Sequence, residues 1–519
     1  MILERAKNTK RNVIYGIIYR IVIVLLPFIV RTILIKELGI EYVGISGLFS
    51  SILSVLSLSE LGFDSAVVII MYSAIANDNI LQINALLSFI KKAYLVVGCA
   101  ILILGLICIP FLPFFVSDHS QLPDDVNLYY IYLVFLSAAS VSYFFGGYRH
   151  SLVVAFQRDD IISKISICTQ LLFFTLQVFV LFTFKNYYYY AFTLPLLALA
   201  NNVIIAETSK RLFPNIKPEG KPSKEDLAQI KKLVVGSSIG MIGNRLTISL
   251  DSIIISSFLG VVLLGYYSNY YYIANSVILI MYILYTSMQG GLGNSVNTCS
   301  VEKNRQDMMK LNFIYNWLIG WFCYSLFFLY QPFMKLWLGD SGMLPDFVPL
   351  LLCIMVYQSE CFSLIGSYKV ALGIVWEDRY RPLVAGGFNL MVNILMVLFL
   401  RGYGDEYALI GIIGSTILSY ALINCPWFVS LLFKKYYKTG LKETYLTTYK
   451  YFLVTIVCCV LSIPLFKQFP ISDGMEGWLF FLARGVLCIL IPNLLFFTIY
   501  HRTELFKESK IFLLDRIKA

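Results

Sequence analysis

Apolar residues run along this chain in blocks of about 20 that stop at charges, prolines or glycines, the length at which an α-helix crosses the hydrocarbon of a bilayer. The blocks fall at residues 12–35, 44–74, 93–116, 127–147, 160–184, 188–208, 233–258, 263–290, 311–337, 346–367, 380–400, 407–433, 449–467 and 478–500. They predict an all-α polytopic membrane protein of about 14 transmembrane helices. The segment before the first block, Met1 to Arg11, is basic and no small-residue cleavage site follows the block. It reads as the flank of a first span, not as a removable signal peptide.

The polar intervals test that count, because an error of one helix would invert every later loop. With the N-terminus in the cytoplasm, 32 of the 41 Lys and Arg residues fall in inside segments. Five fall outside (Lys36, Lys185, Lys335, Arg401 and Lys467), and Arg20, Arg31, Arg245 and Arg484 lie within spans. The outside loops are short and lean acidic, with Asp118, Asp124 and Asp125 in one and Asp340 and Asp346 in another. Both termini are therefore expected in the cytoplasm. The formal charge of +10 is spread through these loops and forms no single patch, so no nucleic-acid partner is implied. With 58% hydrophobic and 14% charged residues and a mean hydropathy of +0.75, the chain carries more apolar surface than one soluble core could bury. Membrane lipid is its expected surroundings.

The longest hydrophilic stretch, 209–232, is rich in proline and charge and reads as a linker dividing the chain. The predicted organisation is an N-terminal lobe of spans 1–6 (1–208), a cytoplasmic linker (209–232), a C-terminal lobe of spans 7–12 (233–433), and a last part holding spans 13 and 14 and a tail (434–519). The halves carry an internal echo. Leu38-Gly39 with Gly44 and Leu259-Gly260 with Gly265 both fit LGxxxxG, 221 residues apart, and an arginine precedes each, Arg20 and Arg245. Six spans repeated in one orientation make a parallel repeat about an axis along the membrane normal.

An ionisable side chain near the bilayer centre costs roughly 3 kcal/mol or more, so each needs a partner, a watery cavity or a route to the interface. At 1.5 Å per residue, Arg20 lies about 12 Å from the inner end of its span and Arg245 about 18 Å into its own. Neither reaches an interface easily. Arg31 and Arg484 sit near outer span ends, where snorkelling to headgroups accounts for them. Arg20 and Arg31 share one face of span one, with Val24 and Pro27 between them, and Pro27 is expected to kink that helix. Glu60 and Asp64 share a face of span two, while Asp251 and Glu360 place carboxylates in spans seven and ten. These four acids are candidates for ion pairs with the arginines or for coupling. The tyrosine runs Tyr187 to Tyr190 and Tyr266 to Tyr272 read as an interfacial belt.

Soluble-enzyme chemistry finds no support in the sequence. Gly220-Lys221 is followed by Pro222, so no P-loop is formed, and three scattered histidines support neither a zinc-protease motif nor a catalytic triad. The eleven cysteines contain no CxxC and mostly lie in apolar blocks, as small buried hydrophobes. No catalytic residue, metal site or cofactor is expected.

The stretch RTILIKELGIEYVGISGLFSSILSVLSLSELGFDSA, Arg31 to Ala66, resembles the start of bacterial polysaccharide-export flippases, the Wzx-type O-antigen and capsule transporters of the MATE-like MOP superfamily. The resemblance implies two six-helix lobes around a central cavity that opens alternately to either side of the bacterial cytoplasmic membrane. The substrate implied is an undecaprenyl-diphosphate-linked oligosaccharide, moved from the inner to the outer leaflet, with other polysaccharide-assembly proteins as partners. A lipid II flippase and a MATE-type cation or drug antiporter share most of these features. Asp64 stands where the family pattern implies a small residue. Arginine's planar donors suit diphosphate oxygens, so Arg20 and Arg245, with Arg31 on the exit side, are the expected phosphate contacts.

Overall fold

The computed structural model describes residues 5–57, 62–472 and 474–518. Its helices are α1 (Arg5–Glu37), α2 (Ile40–Leu56), α3 (Phe63–Ala76), α4 (Ile80–Cys108), α5 (Leu128–Phe144), α6 (Arg149–Ala155), α7 (Asp159–Phe184), α8 (Tyr187–Leu212) and α9 (Lys224–Leu259). They continue as α10 (Val261–Thr298), α11 (Val301–Leu338), α12 (Phe347–Glu360), α13 (Ser363–Ala371), α14 (Arg381–Leu400) and α15 (Asp405–Ser419). The last are α16 (Cys425–Leu432), α17 (Leu441–Phe466), α18 (Gly474–Tyr500) and α19 (Glu504–Lys518). No strand occurs among the described residues.

Eleven described helical segments are long and apolar enough to cross a membrane, and the pair α5 and α6, bent by 56°, makes a twelfth. The shorter apolar helices α2 and α3, and the apolar end Ser249–Leu259 of α9, stand where the pattern predicts the second and seventh spans. The protein is thus an all-helical, multi-pass membrane protein whose elements follow the expected plan.

Two kinds of boundary differ from the apolar blocks, for different reasons. The block at 44–74 is two helices, α2 and α3, and α3 is entered through Gly62 at φ +89°, a left-handed conformation that glycine adopts at no steric cost. Helices α4, α11 and α17 begin 8 to 13 residues before their blocks, because hydropathy marks only the lipid-embedded part while a capped helix runs on into water. Asn79 caps α4 by accepting from the Gln82 amide, and Ser300 caps α11 by accepting from Lys303. Pro27 lies on an exposed side of α1 without ending the helix.

By packing, the chain forms two compact units, Met1–Gly265 and Tyr266–Ala519. In the first, α1 lies along α7, α5 packs on α4 and α8, and α2 packs on α9. Ile45, Leu48 and Phe49 of α2 are fully buried, and Phe49 meets Tyr132 edge-on at 5.4 Å. Tyr132 donates to the Gly105 carbonyl at 3.0 Å, where α4 and α5 approach closely. Tyr187, expected in an interfacial belt, is instead fully buried, its hydroxyl 2.6 Å from Ser46 Oγ and donating to the Tyr42 carbonyl. A hydroxyl at a span end finds protein partners as readily as headgroups.

In the second unit, α11 is the hub, packed by α12, α17, α18 and α19. Phe313, Tyr324, Phe328, Tyr451, Phe466, Phe496 and Tyr500 form one buried aromatic cluster. Since lipid is as apolar as leucine, close packing and polar contacts hold such helices together. Asn312 donates to Thr448 at 3.0 Å, Asn316 to the Cys361 carbonyl at 3.1 Å, and Asn389 to Ser415 and Thr416. Arg484, expected to snorkel, is buried: Nη1 donates to the Phe328 carbonyl at 3.0 Å, Nη2 to Phe466 at 3.1 Å and Nε to Phe469 at 2.9 Å. The end of α17 leaves carbonyls without helical donors, and one guanidinium supplies them.

Candidate functional site

The circumference of α1 divides into three faces. Val30 and Leu34 are each 3% exposed and lie on the face toward the core, along which α1 meets α7. Ile14, Ile18, Ile21, Leu25 and Ile29 form a wholly apolar exposed stripe, as acyl chains require. Arg20, Val24, Pro27 and Arg31 form the third face, between the other two. Arg20 is exposed and makes no hydrogen bond or ion pair among the described residues. Arg31 is half-buried, within electrostatic reach of Tyr190 on α8.

Arg245 is exposed on α9, and its Nη1 donates to Ser54 Oγ of α2 at 3.2 Å. It therefore stands where α2, from the first half of the sequence, packs on the first helix after the linker. Among the described residues, no carboxylate neutralises Arg20 or Arg245. Of the carboxylates that are candidates for ion pairs or for coupling, Asp64 accepts from Tyr94 at 2.6 Å and Ser151 at 2.9 Å, tying α3 to α4 and α6. Glu360, buried at the end of α12, accepts from Tyr315 at 2.7 Å. In both places a neighbouring helix brings a hydroxyl to the acid. Asp251 is buried on α9, and Glu60 lies outside the described residues.

The glycine echo is a structural element. Gly39 (φ +134°) and Gly260 (φ +99°) precede α2 and α10 with the same positive φ and extended ψ, a geometry that side chains avoid. Five residues on, the two helices cross at Gly44 and Gly265. A Cβ on Gly44 would lie 3.3 Å from the Gly265 amide nitrogen and collide with the Val261 carbonyl; one on Gly265 would lie 3.4 Å from the Gly44 nitrogen and 2.5 Å from the Ile40 carbonyl. The contact is reciprocal, as a local two-fold requires. The helix caps Asn79 and Ser300 stand at the same 221-residue separation. At that spacing Arg20 corresponds to Met241, so the two arginines lie one helical turn out of strict register.

A loop latches this crossing. Ser117 donates its amide to the Ser256 carbonyl at 3.1 Å, Ser256 Oγ donates to the Phe115 carbonyl at 2.6 Å, and the Val262 amide donates to Gln121 Oε1 at 3.4 Å. These contacts join the elbow between α9 and α10 to the loop that follows α4.

Further buried charges lie where the sequence pattern places inside loops. In the second unit, Lys369 and Arg381 converge on Asp378, with Arg381 also on Asn424. In the first, Arg149 opens the short helix α6 and is 5% exposed. The apolar run after it, Leu152 to Phe156, is the sequence signal of that burial.

A family model described as polysaccharide biosynthesis protein matches residues 9–288. None of the curated proteins compared with the chain matches it in sequence. Among solved structures, an inward-facing multidrug-resistance MATE transporter of the MOP superfamily matches with a TM-score of 0.58 at 17% identity, covering 82% of this chain and 99% of its own. The lipid II flippase MurJ, in an inward closed conformation, matches with a TM-score of 0.58 at 14% identity over 94% of this chain and 98% of its own. A mutant of the Vibrio cholerae MATE transporter VcmN matches with a TM-score of 0.53 at 14% identity, over 83% of this chain and 98% of its own. At these identities the likeness speaks for the fold.

Proposed function

This chain belongs to the polysaccharide biosynthesis protein family, and on that premise we propose that it is a flippase for undecaprenyl-diphosphate-linked oligosaccharide. It moves that substrate from the inner to the outer leaflet of a bacterial cytoplasmic membrane, with both chain termini in the cytoplasm. A diphosphate bearing a hydrophilic glycan cannot cross hydrocarbon unaided, so the protein must offer a wet, cationic path through it. The observation that carries the reading is the pair Arg20 and Arg245: both lie in spans predicted from the sequence, both are exposed, and neither has a carboxylate partner among the described residues.

A charged face turned to lipid would be strongly unfavourable, whereas the apolar stripe of Ile14, Ile18, Ile21, Leu25 and Ile29 beside it is suited to that role. The arginine face of α1 therefore lines the passage, and Arg245 of α9, held beside Ser54 of α2, also meets the phosphates. Spans 1–6 and 7–12 act as the two lobes, joined by the linker at 209–232. Arg31 contacts the anion near the exit. A cation or drug antiporter would need free intramembrane carboxylates, and Asp64 and Glu360 are already occupied by hydroxyl donors.

The test is export. Arg20→Ala and Arg245→Ala should each abolish surface glycan while protein levels stay normal and lipid-linked glycan accumulates on the inner leaflet. Normal surface glycan in both variants would sink the assignment.

A further inference from the structure

Arg149 is a cation enclosed in the first unit that makes no ion pair among the described residues. Its Nε and Nη1 are buried and find no hydrogen-bond acceptor, and Nη2 is the one terminal nitrogen not enclosed in this way. A guanidinium cannot shed its charge, so burial without a partner is strongly unfavourable. The carboxylates on the three helices packed against α6 are engaged elsewhere. Asp64 of α3 serves Tyr94 and Ser151, and Asp160 of α7 serves Arg158 and Lys164. Asp159 lies beside His150, and Glu207 of α8, within electrostatic reach of Arg149, is paired with Lys210.

The second unit contains the contrasting case. Tyr148-Arg149 recurs 220 positions later as Tyr368-Lys369, in each case by the short helix that ends a span: α6 after the bend that follows α5, and α13 at the end of the span Phe347–Ala371. Lys369 is 7% exposed, as buried as Arg149, but there Asp378 neutralises it. Among the described residues the first copy has no such partner. In its place are more cations: the Arg149 guanidinium and the Lys91 ammonium lie 5.8 and 5.9 Å from the centre of the same Tyr148 ring, and Lys92, Lys210 and Arg211 are exposed at this end of the unit.

We propose that Arg149, with Lys91 across the Tyr148 ring, forms a phosphate-binding site at the end of the first unit that the proposed topology places in the cytoplasm. Arginine's fork matches phosphate oxygens in a bidentate manner, and a second cation suits an anion of more than one charge. Those oxygens belong either to a phospholipid headgroup of the inner leaflet or to a free diphosphate. The site shares no residue with the Arg20 and Arg245 pair and does not depend on the export reading, because a phospholipid would occupy it in a membrane protein of any activity.

The test is thermal unfolding of the full chain in a nonionic detergent. One arm adds inorganic diphosphate against sodium chloride at equal ionic strength; the other adds phosphatidylglycerol against phosphatidylcholine in mixed micelles. The expected result is a rise in the unfolding midpoint of the wild type with at least one anion. Arg149→Gln should weaken that effect at least about tenfold in apparent dissociation constant, Arg149→Lys several-fold, and Lys369→Gln should leave it unchanged. Response to phosphatidylglycerol alone assigns a headgroup site, and response to both assigns a site for soluble phosphate. Absence of stabilisation in the wild type, or equal stabilisation in the Arg149→Lys or Arg149→Gln proteins, overturns the proposal. The wild-type and lysine arms decide it should the glutamine variant fail to fold.

Discussion

Gly265→Ala is the smallest perturbation that reaches the crossing of α2 and α10. The added Cβ would stand 2.5 Å from the Ile40 carbonyl oxygen, against an ordinary contact near 3.4 Å, so the helices must separate by roughly 0.9 Å. The Ile40 carbonyl and the Gly44 nitrogen are both main chain, and no flexible side chain can yield in their place. Overpacking of this kind costs about 1–3 kcal/mol. Alanine's better helix propensity, worth up to about 1 kcal/mol, applies whether or not the crossing is closed, so it does not offset the clash. At about 1.4 kcal/mol per factor of ten, the closed crossing should lose roughly 5- to 150-fold in population relative to an open one. The latch supplies the readout. Ser117→Cys with Ser256→Cys places two thiols where an amide and a carbonyl now meet at 3.1 Å. Oxidative cross-linking in membranes, mapped by mass spectrometry because the chain has eleven native cysteines, should fall at least about fivefold when Gly265→Ala is added. Gly290→Ala, whose Cβ would meet nothing within 4 Å, should not change it. Equal cross-linking in the Gly265→Ala and parent proteins would refute the idea that this crossing closes by glycine contact.

Asp378→Asn removes the one carboxylate between Lys369 and Arg381 and should cost about 3–5 kcal/mol, read as a lower unfolding midpoint in detergent; adding Lys369→Gln should recover part of the loss. Arg484→Leu leaves the carbonyls of Phe328 and Phe469 without their donor, at about 1–3 kcal/mol each, while Phe466 keeps the Phe469 amide, and should sharply lower the yield of folded protein, with Arg484→Lys intermediate. Asp64→Asn keeps the shape of the site that joins α3 to α4 and α6, so surface glycan should stay near normal, whereas Asp64→Leu should lower stability by a few kcal/mol.

The membrane plan was legible because hydropathy and the placement of basic residues report on lipid itself. The apolar blocks found the spans, and the glycine echo marked two positions that the structure shows in backbone contact. What stayed hidden depends on which residues meet across helices. The break in span two falls by Gly62, where Ser57, Ser59, Glu60 and Asp64 interrupt the apolar run from Gly44 to Ala74, a signal that a span-length hydropathy window averages away. Arg484 reads as an interfacial cation until the end of α17 is seen to need donors. Arg149 and Lys369 look like ordinary inside-loop charges, and only the short apolar run Leu152 to Phe156 after the first of them hints that its helix packs inward. The candidate site was legible as a list of intramembrane charges, but the partners of Asp64 and Glu360 are hydroxyls contributed from other helices, 30 to 87 residues away in the chain.

The features that keep the 221-residue spacing and those that depart from it sort by physical role. Gly39 with Gly260, Gly44 with Gly265, and Asn79 with Ser300 obey it, and all of them shape backbone: two positive-φ entries, one close crossing, two helix caps. The charges do not obey it. Arg20 corresponds to Met241, Arg245 corresponds to Val24, and buried Arg149 has a counterpart whose charge Asp378 cancels. Positive-φ entries, a close helix crossing and helix caps each admit few residue types, so backbone geometry holds the spacing in both copies. A ligand with phosphates at one end and sugars at the other has no two-fold of its own, and a duplicated set of cations would offer it two competing registers. Displacing one arginine by a turn and neutralising one of two buried cations removes that degeneracy. The asymmetry of charge on a symmetric frame is therefore what a carrier of an asymmetric anion requires.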